Sequence, residues 1–181
     1  YLKSAAGVSR KRSARKSIQV RGVIPEELWP VMGDVTQVHQ VLLNLCVNAR
    51  DAMPDGGVIL VRAQNRELDE AEAATIAGGR PGSYVVMSVR DTGVGIPVEV
   101  MARIFEPFFT TEPTGSGTGL GLASVARIVR SHEGFVNVRS SPGEGAVFEV
   151  YWPRARQEAG AGSPGDPASS GGVPAVALVI S

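Results

Sequence analysis

The 181-residue sequence has a single cysteine, Cys46, and no long apolar run. One cysteine excludes a disulfide within the chain and is typical of a reducing, cytoplasmic protein. A membrane-spanning helix needs about 20 consecutive apolar residues, so we expect no direct membrane contact by this chain. The chain begins at Tyr1 rather than at Met and has no signal-peptide pattern, so we interpret it as part of a longer protein.

Lysine is absent between Ser17 and Pro153, where ten arginines are outnumbered by 16 acidic residues. This acidic charge argues against a nucleic-acid partner. Residues 1–16 are basic instead, and we interpret them as a linker from an upstream region, with a nucleic-acid or membrane contact as the alternative. Residues 154–174 are rich in Gly, Ala, Ser and Pro and are typical of a flexible linker, which leaves residues 17–153 as the predicted domain.

Residue patterns in this domain predict five strands and three helices. The strands are predicted at residues 17–24, 58–64, 84–91, 135–140 and 146–153. The first helix begins after Asp34, which we expect to form a capping box with Gln37. A short helix follows residue 97, a longer one begins near Leu122, and segment 67–82 is expected to be a loop or a short surface helix. Two successive strands at the end indicate an α+β sandwich with the helices on one face.

Two polar features mark a candidate site. The first helix carries a row of short polar side chains on one face, which is either an ordinary solvent-exposed face or one side of a site: Gln37, Gln40, Asn44, Asn48 and Asp51. Asp91 has the parity of the apolar face of its strand, so we expect it at the end of the core, where a carboxylate needs a partner. The two glycines of the following TGVGIP segment would let a ligand approach the backbone closely.

Glycines are concentrated directly before the last helix, at Gly115, Gly117, Gly119 and Gly121. Bare N–H groups at a helix N-terminus form an anion site, for which phosphate is a natural ligand. The segment contains no Gly-Lys-Ser/Thr pattern and does not fit the G-x-G-x-x-G dinucleotide motif, so the glycines alone are weak evidence. The Thr, Gly and Pro composition before them suits a mobile lid.

Four motifs together resemble the catalytic ATP-binding domain of sensor histidine kinases, in the ATPase superfamily shared with gyrase, the heat-shock chaperone ATPases and the mismatch-repair ATPases. NLCVNARDAM at 44–53 is similar to the asparagine box, DTGVGIP at 91–97 to the first glycine box, FEPFF at 105–109 to the phenylalanine box and GTGLGLA at 117–123 to the second glycine box. The resemblance implies an open two-layer sandwich, with a mixed, mostly antiparallel sheet of five strands under three helices.

The resemblance also implies binding of ATP with Mg²⁺ and assigns roles to residues. Asn48 would hold Mg²⁺ on the triphosphate, because an amide oxygen suits a hard cation. Asp91 would accept a hydrogen bond from the adenine amino group and so select adenine. The other nucleotide-binding residues implied are Asp51, Gly93, Gly95, Ile96, Phe105, Phe109, Gly117, Thr118, Gly119, Leu120 and Gly121, with Asn44 as an auxiliary catalytic residue.

The sequence departs from the family pattern in three places. The lid has Glu112 and no Lys or Arg where close relatives often carry one, which leaves Mg²⁺, backbone N–H groups and either Arg50 or Arg103 to neutralise the phosphates. Ala146 replaces the usual threonine near the adenine. Asn44 stands where the hydrolysing members have glutamate, and a neutral amide cannot act as the base that activates water.

We therefore expect a protein histidine kinase module that donates the γ-phosphate of ATP to a histidine on a separate dimerisation domain. The alternatives are a non-catalytic nucleotide-binding adaptor, which the lysine-free lid favours, and a chaperone-like or gyrase-like ATPase, which Asn44 disfavours. Neither His39 nor His132 lies in the acceptor motif of the family, so the phosphoacceptor is expected upstream of this chain.

Residues 175–181 form a short apolar run after the flexible linker. A buried parallel strand has such a continuous apolar run, and this one resembles the first strand of a response-regulator receiver domain. A receiver in the same polypeptide would make the parent protein a hybrid kinase. The alternative is a frayed tail, or an edge strand added to the domain at 17–153.

Overall fold

The computed structural model describes residues 17–111 and 118–155, together with the backbone of residues 175–176. In chain order its elements are β1 (Ile18–Val23), β2 (Val31–Met32), α1 (Val35–Asp51), β3 (Gly57–Leu68), α2 (Glu70–Ala74), β4 (Gly82–Asp91), α3 (Val98–Met101), α4 (Gly121–Ser131), β5 (Phe135–Ser140), β6 (Ala146–Pro153) and β7 (Ala175–Val176).

Five of the strands form one open sheet in the order β1-β3-β4-β6-β5. β1 runs parallel to β3, and the other three pairings are antiparallel. The predicted mixed, mostly antiparallel sheet of five strands is therefore confirmed. Outside this sheet, β2 pairs antiparallel with β7, which sets Val31 opposite Val176 and Met32 opposite Ala175. The assignment of residues 175–181 to a receiver domain stays a prediction.

The main core lies between one face of the sheet and the two long helices, α1 and α4. The buried stripe of α1 consists of Val38, Val41, Leu45 and Ala49, as its helical spacing predicts. Alternate residues of β4 are buried on the facing side of the sheet, because successive side chains of a strand point to opposite faces: Val85, Met87, Val89 and Asp91. Among the described residues, no helix is long and apolar enough to cross a membrane.

A second apolar cluster covers part of the opposite face of the sheet. It consists of Leu68, Ala73, Ile76, Tyr84, Val86, Phe135 and Tyr151. The rings of Phe135 and Tyr151 stack with centroids 4.5 Å apart. The segment predicted as a loop or a short surface helix contains the five-residue α2, and its buried Ala73 anchors it to this cluster. The domain therefore has a second, smaller core on the face away from α1 and α4.

The first turn of α1 is capped by Asp34, as predicted. The Asp34 side chain accepts from the backbone N–H of Thr36 at 2.7 Å. The predicted reciprocal bond from Gln37 is wrong, because the backbone N–H of Asp34 donates to Nε2 of His132 at 3.4 Å. The capping partner thus comes from a residue 98 positions away in the chain.

His132 joins the end of α4 to the start of α1. Its Nδ1 lies 2.8 Å from the carbonyl oxygen of Ile128 and donates to it, which leaves Nε2 as the acceptor for Asp34. The imidazole also packs edge-on against the buried Trp152, with ring centroids 5.4 Å apart. The side chain therefore contacts both long helices and the sheet.

We predict that His132→Ala destabilises the domain by about 1–2 kcal/mol, since the substitution removes two hydrogen bonds and a ring contact. His39→Ala is the matched control, because His39 lies on the exposed side of α1. Urea unfolding monitored by circular dichroism measures both variants. Equal unfolding free energies for the two variants would contradict the linking role of His132.

Candidate functional site

A cavity of about 450 Å³ opens between α1, the loop after β4 and the start of α4. A volume of this size is typical of a small-molecule or cofactor site. The predicted site residues that line it are Asn44, Asn48, Asp51, Asp91, Gly95, Ile96, Phe109, Thr118, Gly119 and Gly121. The structure therefore brings together residues from three of the four sequence motifs and the described part of the fourth.

Asp91 lies at the buried end of this cavity, with 3% of its surface exposed. Its Oδ1 accepts from the backbone N–H of Gly93 at 2.8 Å and of Ala146 at 3.2 Å. Burial raises the pKa of the Asp91 carboxyl above its usual value, and these backbone donors partly oppose the rise. The predicted position of Asp91 at the end of the core is confirmed by its burial.

The loop after β4 is held on both sides by protein backbone and side chains. The N–H of Val94 donates to the Ala52 carbonyl at 3.0 Å, and the N–H of Ile96 donates to the Ser140 hydroxyl at 2.8 Å. Gly95 has a φ of +74°, and a Cβ there would collide with the carbonyl oxygen of Ser141. This glycine is needed because protein backbone occupies the space of its missing side chain, whereas the sequence had indicated close approach of a ligand.

The polar face of α1 forms one wall of the cavity. Nδ2 of Asn44 donates to the carbonyl oxygen of Gly121 at 3.3 Å and so joins α1 to the first residue of α4. Nδ2 of Asn48 is buried and has no hydrogen-bond partner among the described residues. A Cβ on Gly121 would lie 3.8 Å from both amide atoms of Asn48, an ordinary contact distance. The Asn48 amide thus faces the start of α4 across a small gap.

The phenylalanine-rich segment, residues 105–109, places one ring at the cavity and exposes another to solvent. Phe109 lines the cavity, and the guanidinium of Arg103 lies 4.6 Å from its ring centroid. Phe108 is 75% exposed and has a φ of +66°, which is rare for a residue with a side chain. Its N–H donates to the carbonyl oxygen of Gly119 at 2.9 Å.

Three of the predicted site residues that the structure describes do not line the cavity. Gly93 contacts Asp91 instead, while Phe105 and Leu120 line a second groove beside α4. Gly117 lies outside the described residues, as does Glu112 of the predicted lid. Motif reasoning missed several apolar lining residues, because nothing in the sequence distinguishes them from ordinary core residues: Ile104, Leu122 and Phe148.

Residues 33–156 match the family of histidine kinase-, DNA gyrase B- and HSP90-like ATPases. Because the match covers more than half of the chain, the chain belongs to this family. Among its relatives it is 44% identical over 147 residues to the sensor kinase CckA of Brucella abortus, which is 81% of this chain and 16% of that protein. It is 38% identical over 146 residues to the sensor histidine kinase ZraS of Salmonella typhi, again 81% of this chain, and 28% of that protein.

Solved structures of histidine kinases share the fold. Full-length ShkA in complex with AMPPNP aligns with a TM-score of 0.60 and 32% identity, covering 77% of this chain and 26% of that one. The nucleotide-free catalytic domain of ThkA aligns with a TM-score of 0.58 and 30% identity, covering 76% of this chain and 79% of that one. The domain is therefore a catalytic ATP-binding domain of the sensor histidine kinase type, and it spans less than a third of the length of the sensor kinases CckA and ZraS.

We predict that Asp91→Asn does not destabilise the fold at pH 7. The amide keeps a carbonyl oxygen to accept from Gly93 and Ala146. It also removes the negative charge, whose burial is unfavourable and raises the pKa of the carboxyl. With its pKa raised in the folded state, wild-type Asp91 lowers stability above that pKa. The penalty shrinks as the pH falls below the folded-state pKa and is absent once the pH is below the pKa of the unfolded chain. The variant should equal or exceed the wild type at neutral pH.

The measurement is urea unfolding of both proteins from pH 7 down to the acid limit of the folded state. We expect any advantage of the variant to shrink steadily as the pH falls. A variant that is less stable at pH 7, by an amount that shrinks as the pH falls, would show that the Asp91 charge stabilises the fold.

Proposed function

We propose that this domain binds ATP together with Mg²⁺ in the cavity and donates the γ-phosphate to a histidine on another domain. The observation that carries the proposal is the buried carboxylate of Asp91 at the cavity end. A carboxylate can accept up to four hydrogen bonds, and the backbone donors of Gly93 and Ala146 leave capacity for one from a ligand. Adenine offers an amino group at the ring position where guanine has a carbonyl oxygen, so Asp91 favours adenine.

The apolar part of the cavity suits a flat base. Ile96, Ile104, Leu122 and Phe148 line it together with Asp91. Binding sites for small molecules combine such apolar walls with a few polar groups that fix orientation. Apolar contact to the faces of the ring and one hydrogen bond at its edge would thus orient adenine.

The phosphates would extend towards the start of α4. No side chain in the described residues caps the N-terminus of α4, whereas Asp34 and Asp69 cap α1 and α2. Free N–H groups and the helix dipole favour an anion at this end. The neighbouring Asn48 has no partner for its Nδ2 in the described structure, so this N–H donor is available to a phosphate oxygen.

The residues present fit Mg²⁺ bound through the nucleotide. Among the described residues, no group of three or more His, Cys, Asp or Glu side chains is placed to hold a metal ion. Mg²⁺ typically takes one or two protein oxygens and completes its shell with phosphate oxygens and water. Asn48 would supply the protein oxygen, and the bound ion would neutralise phosphate charge.

Asn44 favours transfer over hydrolysis. Its amide donates to the Gly121 carbonyl, and a neutral amide cannot take a proton from water. In the proposed reaction a nitrogen of the acceptor imidazole forms a bond to the γ-phosphorus. The bond from that phosphorus to the oxygen bridging to the β-phosphate breaks, and ADP leaves.

The groove beside α4 supports docking of a partner domain next to the site. Its volume is about 640 Å³, and it is lined by Phe105, Pro107 and Leu120, with Arg127 at its side. Phe108 and Leu120 are 75% and 41% exposed close to the cavity mouth. We propose that the domain is cytoplasmic and that the dimerisation domain docks in this groove. A receiver domain in the same polypeptide would then accept the phosphate from the histidine.

Transfer from γ-labelled ATP to the purified histidine-bearing dimerisation domain of the parent protein tests the proposed function. We expect label on that domain that is stable to alkali and labile to acid, and no label on this chain incubated alone. Calorimetry should show that the wild type prefers ATP to GTP and that Asp91→Asn weakens ATP binding by about tenfold to a hundredfold. Equal binding of ATP and GTP by the wild type, or failure of transfer, would contradict the proposal.

We predict that Asn48→Asp weakens binding of a non-hydrolysable ATP analogue in Mg²⁺ by about tenfold, because a carboxylate adds negative charge beside the phosphates and changes the metal shell. Gln40→Glu is the matched control, since it adds the same charge to the exposed side of α1 outside the cavity. Calorimetry with and without Mg²⁺ measures both variants. An unchanged affinity in Asn48→Asp would show that Asn48 does not bind the metal ion.

A further inference from the structure

We propose that Arg50 is the side chain that supplies positive charge to the nucleotide phosphates in this domain. The inference rests on the proposed function, since it requires ATP in the cavity. Arg50 lies in the last turn of α1 and lines the cavity while 61% of its side chain stays exposed. It can therefore reach the phosphates without the cost of burying a charge.

The charges around the cavity leave this role to Arg50. Among the described residues that line it, Asp51 and Asp91 are acidic and Arg50 is the one cation. The sequence from residue 104 to residue 121, which includes the whole lid, contains neither lysine nor arginine. Of the side chains that the structure describes at this site, a triphosphate would thus meet two carboxylates and a single basic group.

Arg103 was the other candidate, but its side chain contacts Glu106 and Phe109 instead. Its Nε lies 3.1 Å from Oε2 of Glu106, and its guanidinium lies over the ring of Phe109. Arg103 does not line the cavity. Arg103 therefore supports the wall of the site through Phe109, whereas Arg50 faces the cavity itself.

The ion pair between Arg50 and Asp51 orients the guanidinium. Nε and one terminal nitrogen of Arg50 both lie close to Oδ1 of Asp51, at 2.8 Å and 2.7 Å. A guanidinium has five N–H donors, so the pair leaves donors for phosphate oxygens. Asp51 is then a positioning residue that holds the Arg50 guanidinium in place. A lysine ammonium could not reproduce this two-point contact.

The experiment compares Arg50→Ala and Arg50→Lys with Arg62→Ala in the full 181-residue chain. Arg62 is exposed and lies on β3 at a position that points to the opposite face of the sheet, away from the cavity. Its replacement by Ala removes the same positive charge as Arg50→Ala. Calorimetry in Mg²⁺ measures the affinities for ATP, ADP and adenosine at two salt concentrations, and thermal unfolding checks the fold of each variant.

We expect Arg50→Ala to weaken ATP about fivefold to tenfold, ADP by less, and adenosine not at all. Arg50→Lys should recover part of the loss, and the salt dependence of ATP binding should become weaker in Arg50→Ala than in the wild type. An equal loss in Arg62→Ala, or an equal loss for adenosine, would overturn the assignment of Arg50.

The experiment distinguishes failure of the Arg50 assignment from failure of the proposed function. A wild-type chain that binds ATP, with Arg50→Ala binding ATP equally well, overturns the role of Arg50 and leaves the proposed function intact. A wild-type chain that binds neither ATP nor ADP overturns both.

Discussion

The segments around the cavity are arranged to satisfy the buried carboxylate of Asp91. An unpaired charge in a protein interior is strongly unfavourable, so the chain must bring donors to it. Here two backbone N–H groups converge on one oxygen, from Gly93 after β4 and from Ala146 at the start of β6. The hairpin before β6 reaches this position through Gly145, whose φ is +78° and where a Cβ would collide with the Asp91 backbone. Asp91 is thus enclosed by backbone from the end of β4 and the start of β6.

Local patterns predicted the parts of the fold that depend on local chemistry. The apolar stripe of α1, the five sheet strands and the parity of Asp91 all follow from the periods of a helix and a strand, and the structure agrees with them. Contacts between distant segments carried no such signal. His132 replaces Gln37 as the partner of the Asp34 N–H because the fold brings the end of α4 to the start of α1. The second apolar cluster likewise depends on α2 folding back over β4.

The candidate site shows the same division. Asn44 and Asn48 could be found because short amides recur on the polar face of the first helix, and Asp91 because it has the parity of an apolar strand face. All three line one cavity. Leu122 and Phe148 could not be found, since an apolar side chain facing a cavity and one facing the core look alike in the sequence. Gly95 was found for a different reason from the one that the structure supplies, which is the backbone of Ser141 packed against it.

Nuclear magnetic resonance of the isotope-labelled chain with a non-hydrolysable ATP analogue and Mg²⁺ tests most directly whether adenine binds beside Asp91. If adenine binds there, we expect nuclear Overhauser contacts from the adenine ring protons to the methyl groups of Ile96 and Leu122, with large shifts of the Gly93 and Ala146 amide signals. This position of adenine would be contradicted by binding without these contacts, or by shifts concentrated around Arg62 and Glu149 on the opposite face of the sheet.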